Sequence, residues 1–229
     1  MPSTSKTLYY TSCALLTSIS VGLMGYAMSR EWVRLSMDCS REEINLFNGS
    51  ATITLELFNG NLNRVFCPTF GEITQFSVIP KLAEMGVTAL VLYALVVMLL
   101  ALCLLFSAGT ILISLYNSVS NPYETYFGPV GVYTCSSIST CLSIVVLIIY
   151  VVNVNLTTMA EDLVQDFSGP VDLRNKTAEM LLGYYLVIPY TVLSLCAMAI
   201  IYMYNNAAYR HRREQQRPTE DSPKEIMMF

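Results

Sequence analysis

Charged residues are missing from four long stretches of the chain, 7–29, 85–123, 125–160 and 180–209, and gather between them. Each stretch exceeds the about 20 helical residues that cross a hydrocarbon core about 30 Å thick. The pattern predicts membrane-spanning helices at 8–28, 86–115, 130–153 and 180–204, the second long enough to tilt or to run beyond the bilayer. Backbone polar groups in lipid must pair within their own segment, so these runs read as helices rather than buried strands. The first run has a second reading, a cleavable signal peptide, because Ala27-Met28-Ser29 resembles a small-x-small cleavage site. Its apolar stretch is longer than a signal core usually is.

Between the first two spans the period changes from helical to two-fold. In 51–58, Ile53, Leu55 and Leu57 alternate with Thr52, Thr54 and Glu56, the pattern of a half-buried strand. Asn48-Gly49 and Asn59-Gly60 flank it, and Asn-Gly favours tight hairpin turns. With shorter candidates at 43–47 and 62–67, the reading is a three-stranded antiparallel meander. Cys39 and Cys67 are the only cysteines of this loop. On an oxidising side they would pair, adding about 3–4 kcal/mol by constraining the unfolded chain; two free thiols are the alternative. Trp32 suits an anchor at the membrane interface, with contact to the sheet as the other reading. The expected class is therefore an all-α four-helix membrane bundle, 1–229 as one domain, with a small extracellular antiparallel sheet in its first loop.

Composition agrees with a membrane protein: 54% of residues are hydrophobic, 13% charged, and mean hydropathy is +0.49. A soluble domain carries about 25% charged residues. The net charge of −4 provides no basic field for nucleic acid. Counting Lys and Arg does not orient the chain, since the termini and 116–129 hold six and the loops 29–85 and 154–179 hold seven. Acceptor sequons do orient it: Asn48-Gly49-Ser50, Asn155-Leu156-Thr157 and Asn175-Lys176-Thr177 all lie in the latter two loops. Those loops are expected outside, with 116–129 and the tail 205–229 cytosolic. Asn48 and Asn175 are the better acceptors, because Asn155 stands close to the membrane.

The spans contain no Asp, Glu, Lys, Arg or His, which removes the usual proton relay, ion site and voltage sensor. The single histidine, His211, lies beyond the fourth span, and no closely spaced cysteine pair is present. Neither catalysis nor a cofactor or metal is expected. Ser18, Gly22 and Gly25 on the first helix, and Ser136, Ser139, Thr140 and Ser143 on the third, are small faces that let helices approach closely. Packing within one bundle is the expected use of both, with packing between subunits as the alternative. Pro189 should kink the fourth span. Just past it, Arg210, Arg212 and Arg213 form a basic cluster suited to anionic lipid, or to a plain stop-transfer anchor. The terminal Met227-Met228-Phe229 has the apolar ending of a strand-adding PDZ ligand.

The stretch 115–123, followed by Phe127-Gly128-Pro129 and Gly131-Val132-Tyr133-Thr134, resembles the corresponding region of clarins. Met1-Pro2, Lys6-Thr7-Leu8, Leu57-Phe58-Asn59-Gly60 and the tail Glu214-Gln215-Gln216-Arg217-Pro218 ending in Phe229 are similar too. The resemblance implies a claudin-like tetraspan fold, with a left-handed bundle and a sheet made mainly by the first loop. It also implies a role in membrane organisation. Trp32 and Leu57-Phe58 match the claudin loop pattern with Phe replacing Trp. Cys67 takes the second cysteine position, and Asn61 stands where some clarins have the first.

The leading functional expectation is a non-enzymatic membrane organiser or adhesion-type protein. Its expected partners are membrane lipids, other membrane proteins and a cytosolic PDZ scaffold. An auxiliary subunit of a channel or receptor is the alternative. A paracellular barrier protein is a third class, with Glu42, Glu43 and Glu56 as pore-lining candidates or simply as a solvated face.

Overall fold

The computed structural model describes residues 4–40, 49–67, 71, 73–85, 87–119, 128–169 and 171–215, with side chains as far as 210. In chain order the elements are α1 (Thr4–Met28), β1 (Val33–Ser40), β2 (Gly49–Leu55), β3 (Asn59–Val65) and β4 (Thr74–Ser77). They continue with α2 (Val78–Met85), α3 (Val87–Val119), α4 (Pro129–Leu156), α5 (Met159–Ser168), β5 (Asp172–Met180), α6 (Leu182–Tyr185) and α7 (Val187–Gln215). Among the described residues four helical runs are long and apolar enough to cross a membrane: Thr4–Met28, Val87–Val119, Pro129–Leu156 and Leu182–Arg210. At 33 residues, α3 is about 50 Å long and overshoots a core of about 30 Å. The fourth run breaks at Leu186, between α6 and α7. Pro189 has no N–H, and its ring crowds the carbonyl four residues earlier, at Tyr185.

The helices form a ring in which α1 and α4 each pack against α3 and α7. Hydroxyls join α4 to its neighbours. Tyr190 Oη bonds Ser107 Oγ at 2.7 Å and Ser139 Oγ, and donates to the Cys103 carbonyl at 3.2 Å. One phenol proton serves that carbonyl, and both serines then donate to the phenol oxygen. Ser143 bonds Thr191 at 2.9 Å, Thr140 donates to Ser194 at 3.3 Å, and Thr110 meets Ser136 at 3.4 Å. The small face of the third span is thus spent inside the bundle. That of the first span is not: Ser18, Gly22 and Gly25 are exposed, and a Cβ on either glycine meets nothing within 4 Å. The expected internal packing fails there because α1 turns Cys13, Thr17, Ser20 and Met24 inward instead.

The sheet has five antiparallel strands in the order β4-β3-β2-β1-β5, two more than the expected meander. Its first strand is Val33–Ser40, whereas the candidate at 43–47 lies outside the described residues. The edge strand β5 comes from the loop before the fourth span and is largely exposed. With one neighbouring strand and little burial it carries no alternating apolar signal. The Asn-Gly turn expected at Asn59-Gly60 is also corrected. The chain reverses at Glu56–Asn59, closed by Glu56 N–H to the Asn59 carbonyl at 2.8 Å, and Gly60 pairs with Leu55 inside the sheet. A Cβ on Gly60 would stand 2.5 Å from the Phe76 ring, so the glycine makes room for an aromatic rather than for a turn.

Beneath the sheet lie two amphipathic helices. Val78 and Leu82 of α2, and Met159, Ala160, Leu163 and Val164 of α5, are buried with Leu35, Ile53, Leu55 and Leu62 of the strands. In α5, Glu161 and Asp162 occupy the first turn, where the helix dipole favours acids. Gly169, at φ 76° and ψ −169°, ends it in an extended positive-φ conformation that favours glycine.

Candidate interaction surface

The sheet is mounted on the bundle through Trp32. This residue is fully buried rather than an interface anchor. Its indole N–H donates to the Ala27 carbonyl at the end of α1 (2.8 Å), and its ring stands edge-on to Tyr150 of α4 at 5.0 Å. Its backbone bonds Leu55 on one side and Leu181 on the other, so one residue ties α1, β2 and the start of the fourth span. Gly183 lies so close that a Cβ there would be 2.5 Å from the indole. Tyr93 extends the aromatic group, 6.3 Å from Tyr150, and donates to the Glu56 carbonyl at 2.7 Å.

Charged pairs tie the two loops together. Lys81 of α2 meets Asp166 of α5 at 2.6 Å and Glu84 at 2.9 Å, and lies 5.0 Å from the Phe167 ring. Hydrogen bonds that the Lys81 ammonium donates to Asp166 and Glu84 hold it above the ordinary lysine pKa. Lys176 of β5 reaches Glu161 at 3.2 Å and the Thr157 carbonyl at 3.0 Å, and Arg64 of β3 donates to the Phe167 carbonyl at 2.8 Å. None of these ties was foreseen. The amphipathic spacing of Val78 with Leu82, and of Met159 with Leu163, was the available signal.

Cys39 and Cys67 are bonded, with Cα atoms 5.8 Å apart. Gly49 lies beside them, and a Cβ there would fall 2.2 Å from the Phe66 carbonyl and 2.8 Å from the Cys39 sulfur. Phe66, at φ 56°, holds the strained left-handed conformation that turns its carbonyl toward Gly49.

The outer face of the sheet is polar. A cross-strand row runs Glu179, Arg34, Thr54, Asn61 and Gln75, with Arg34 3.8 Å from Glu179. Beside it Glu56, Asn59, Asn61, Gln75 and Ser77 line an open groove of about 480 Å³. Asn175 sits exposed on β5 at φ 54°, in a bulge where the register with β1 shifts, and donates to Asp38 at 2.9 Å. Asn155 is exposed in the last turn of α4 and bonds the Val151 carbonyl. The sheet, Asn155 and Asn175 therefore share one end of the bundle. Asn48, Glu42 and Glu43 lie outside the described residues, as do Met227, Met228 and Phe229. Arg210 is exposed on α7, and Arg212 and Arg213 continue the same helix. Among the described residues no three His, Cys, Asp or Glu side chains group to hold a metal.

Four apolar spans in a ring, crowned by a disulfide-closed antiparallel sheet, define a claudin-like tetraspan, a multi-pass membrane protein. No protein-family model matches the chain. Over their full lengths, 100% of each chain, it is 27% identical to clarin-3 of Homo sapiens, 29% to clarin-3 of Mus musculus and 30% to clarin-3 of Rattus norvegicus. The chain belongs to the clarin family.

Proposed function

We propose that this clarin-family tetraspan is a non-enzymatic organiser of the plasma membrane, with the sheet outside and both termini in the cytosol. It acts by contact through the sheet's outer face and the cytosolic tail. The observation that carries this reading is the mounting of the sheet. A rigid polar face is held by Trp32, a disulfide and the Lys81 and Lys176 ties, while the spans contain no Asp, Glu, Lys, Arg or His within 7–29, 87–119, 129–156 and 182–209. Disulfides persist on the oxidising side of a membrane, and Asn155 and Asn175 stand at the same end as the disulfide. At the opposite end Arg210, Arg212 and Arg213 face anionic lipid, and Met227-Met228-Phe229 adds a strand to a PDZ domain.

Glycosidase treatment tests the orientation. A mobility shift that Asn48→Gln and Asn175→Gln together abolish is expected, and end tags reachable only after permeabilisation. Tags on opposite faces of the cell would overturn it. Affinity purification in mild detergent tests the role. Scaffold and adhesion proteins are expected, the scaffold lost on deleting Phe229, whereas a pore-forming subunit in stoichiometric amount would replace this reading with that of an auxiliary subunit. Transepithelial resistance should be unchanged by expression.

A further inference from the structure

The sheet ends in two unlike edges. On one side is β4, of four residues; on the other is β5, nine residues without a proline, whose only strand neighbour among the described residues is β1. An open edge of that length offers unpaired backbone N–H and C=O groups to a strand of matching sequence. The sequence that matches β5 is its own. The Asn175 bulge drops out of the register with β1, where the pairing shifts between Ser36 and Asp38. With the bulge left out in the same way, two antiparallel copies of β5 place Thr177 opposite Thr177 and Lys176 opposite Ala178. Arg174 then meets Glu179 and Leu173 meets Met180, each pair twice. Every pairing joins like faces, since Leu173, Lys176, Ala178 and Met180 are half-buried while Arg174, Thr177 and Glu179 are exposed. Opposite charges directly across a strand pair are favourable.

An acceptor asparagine sits in the middle of this edge. Asn175 is exposed in the bulge at φ 54°, a left-handed conformation that asparagine adopts more readily than most side chains. Asn155, by contrast, lies in the last turn of a span and donates to the Val151 carbonyl at 3.0 Å. We propose that an N-glycan on Asn175 masks the β5 edge, so that two copies of this chain pair through β5 only where that glycan is missing. The asparagine Nδ2 displaces the diphosphate of a lipid-linked oligosaccharide at the anomeric carbon. It loses one proton and keeps the other, so a donor for Asp38, now 2.9 Å away, remains. The bulky, hydrated sugar then stands between the Arg174 and Lys176 positions of the seam. The proposal rests on the reading of the sheet as extracellular, and it gives the edge of that sheet, as distinct from its outer face, a partner in a second copy.

The full chain, made in glycosylating cells and held in detergent, tests it by native mass spectrometry with glycopeptide mapping. A monomer carrying sugar on Asn175 is expected. Asn175→Gly tolerates the positive φ and removes the acceptor, and it should double the mass. Trimming the sugar enzymatically from the folded wild-type chain should do the same, whereas Thr177→Ser keeps the sequon and should stay monomeric. Backbone amides of 172–180 should exchange more slowly in the dimer than in the monomer. Adding Arg174→Glu to Asn175→Gly sets Glu against Glu and should return the monomer; adding Glu179→Arg as well should restore the dimer. A chain that stays monomeric after both Asn175→Gly and trimming would overturn the proposal. So would a dimer without slowed exchange in 172–180, or a wild-type dimer paired there despite its sugar. Sugar on Asn48 with none on Asn175 would sink it and leave the extracellular placement of the sheet standing. No sugar on any acceptor would remove both.

Discussion

The sheet cap and the bundle interior share α4 as a common wall, yet they are held in different ways. Above, Trp32, Tyr150, Leu35, Ile53 and Leu55 are buried in one apolar core, closed by a disulfide and edged with ion pairs. Below, between α3, α4 and α7, that apolar core continues through Leu100, Val146 and Val187, and serine, threonine and tyrosine hydroxyls bond across it. The difference follows from the solvent. The cap faces water, where burying apolar surface is worth about 25 cal/mol per Å². Lipid offers no such gain, because the tails outside are as apolar as a leucine inside, so close approach of small residues and interhelical hydrogen bonds do the joining. A cap built on a few large contacts should fail through single residues, and a bundle built on many small ones should not.

That contrast is broken most directly at Trp32. Trp32→Ala should cost about 3–5 kcal/mol, because it leaves a cavity at the junction of α1, β2 and α4. Thermal melting in detergent should show it, with the sheet released before the helices. The double change of Cys39→Ser and Cys67→Ser should cost about 3–4 kcal/mol. Limited proteolysis is expected to cut the first loop sooner and leave the membrane-embedded helices intact; loss of the helices at the same rate would erase the distinction. In the bundle, Tyr190→Phe removes the bonds to Ser107, Ser139 and the Cys103 carbonyl, yet should cost only about 1–2 kcal/mol. Unfolding in bicelles would measure it, and a cost matching that of Trp32→Ala would contradict the comparison. Smallest is Lys81→Met, which should barely move the melting curve, because surface ion pairs contribute little to stability. Because folding raises the Lys81 pKa, its tie is fully present below the unfolded value of about 10.4 and is lost only as pH rises through the higher folded value. Spin labels on α2 and α5 should therefore keep their separation through neutral pH and part only in strong alkali.

Legibility along the chain follows the same division. The spans are visible because hydrocarbon excludes charge from about 20 residues in a row, and β2 because one face is dry and the other wet. β5 is not visible, since Asp172–Met180 is an exposed edge whose pairing with β1 is made across the whole length of two spans. The role of Trp32 was equally hidden. One tryptophan beyond a span fits an interface anchor or a buried junction, and the choice depends on Gly183 and Tyr150, more than 100 residues away.

Alone, the order of residues determined that the polypeptide enters lipid four times, carries a half-buried sheet after the first passage, and offers Cys39 and Cys67 as a closing pair. Those properties depend on local runs and on which solvent each run tolerates. Only the tertiary structure decided that the sheet has five strands from two loops and that the small face of the third span is spent inside while that of the first is open. Each of these is a meeting of distant segments, and a sequence records the preferences of a segment for its surroundings without naming the neighbour that will supply them.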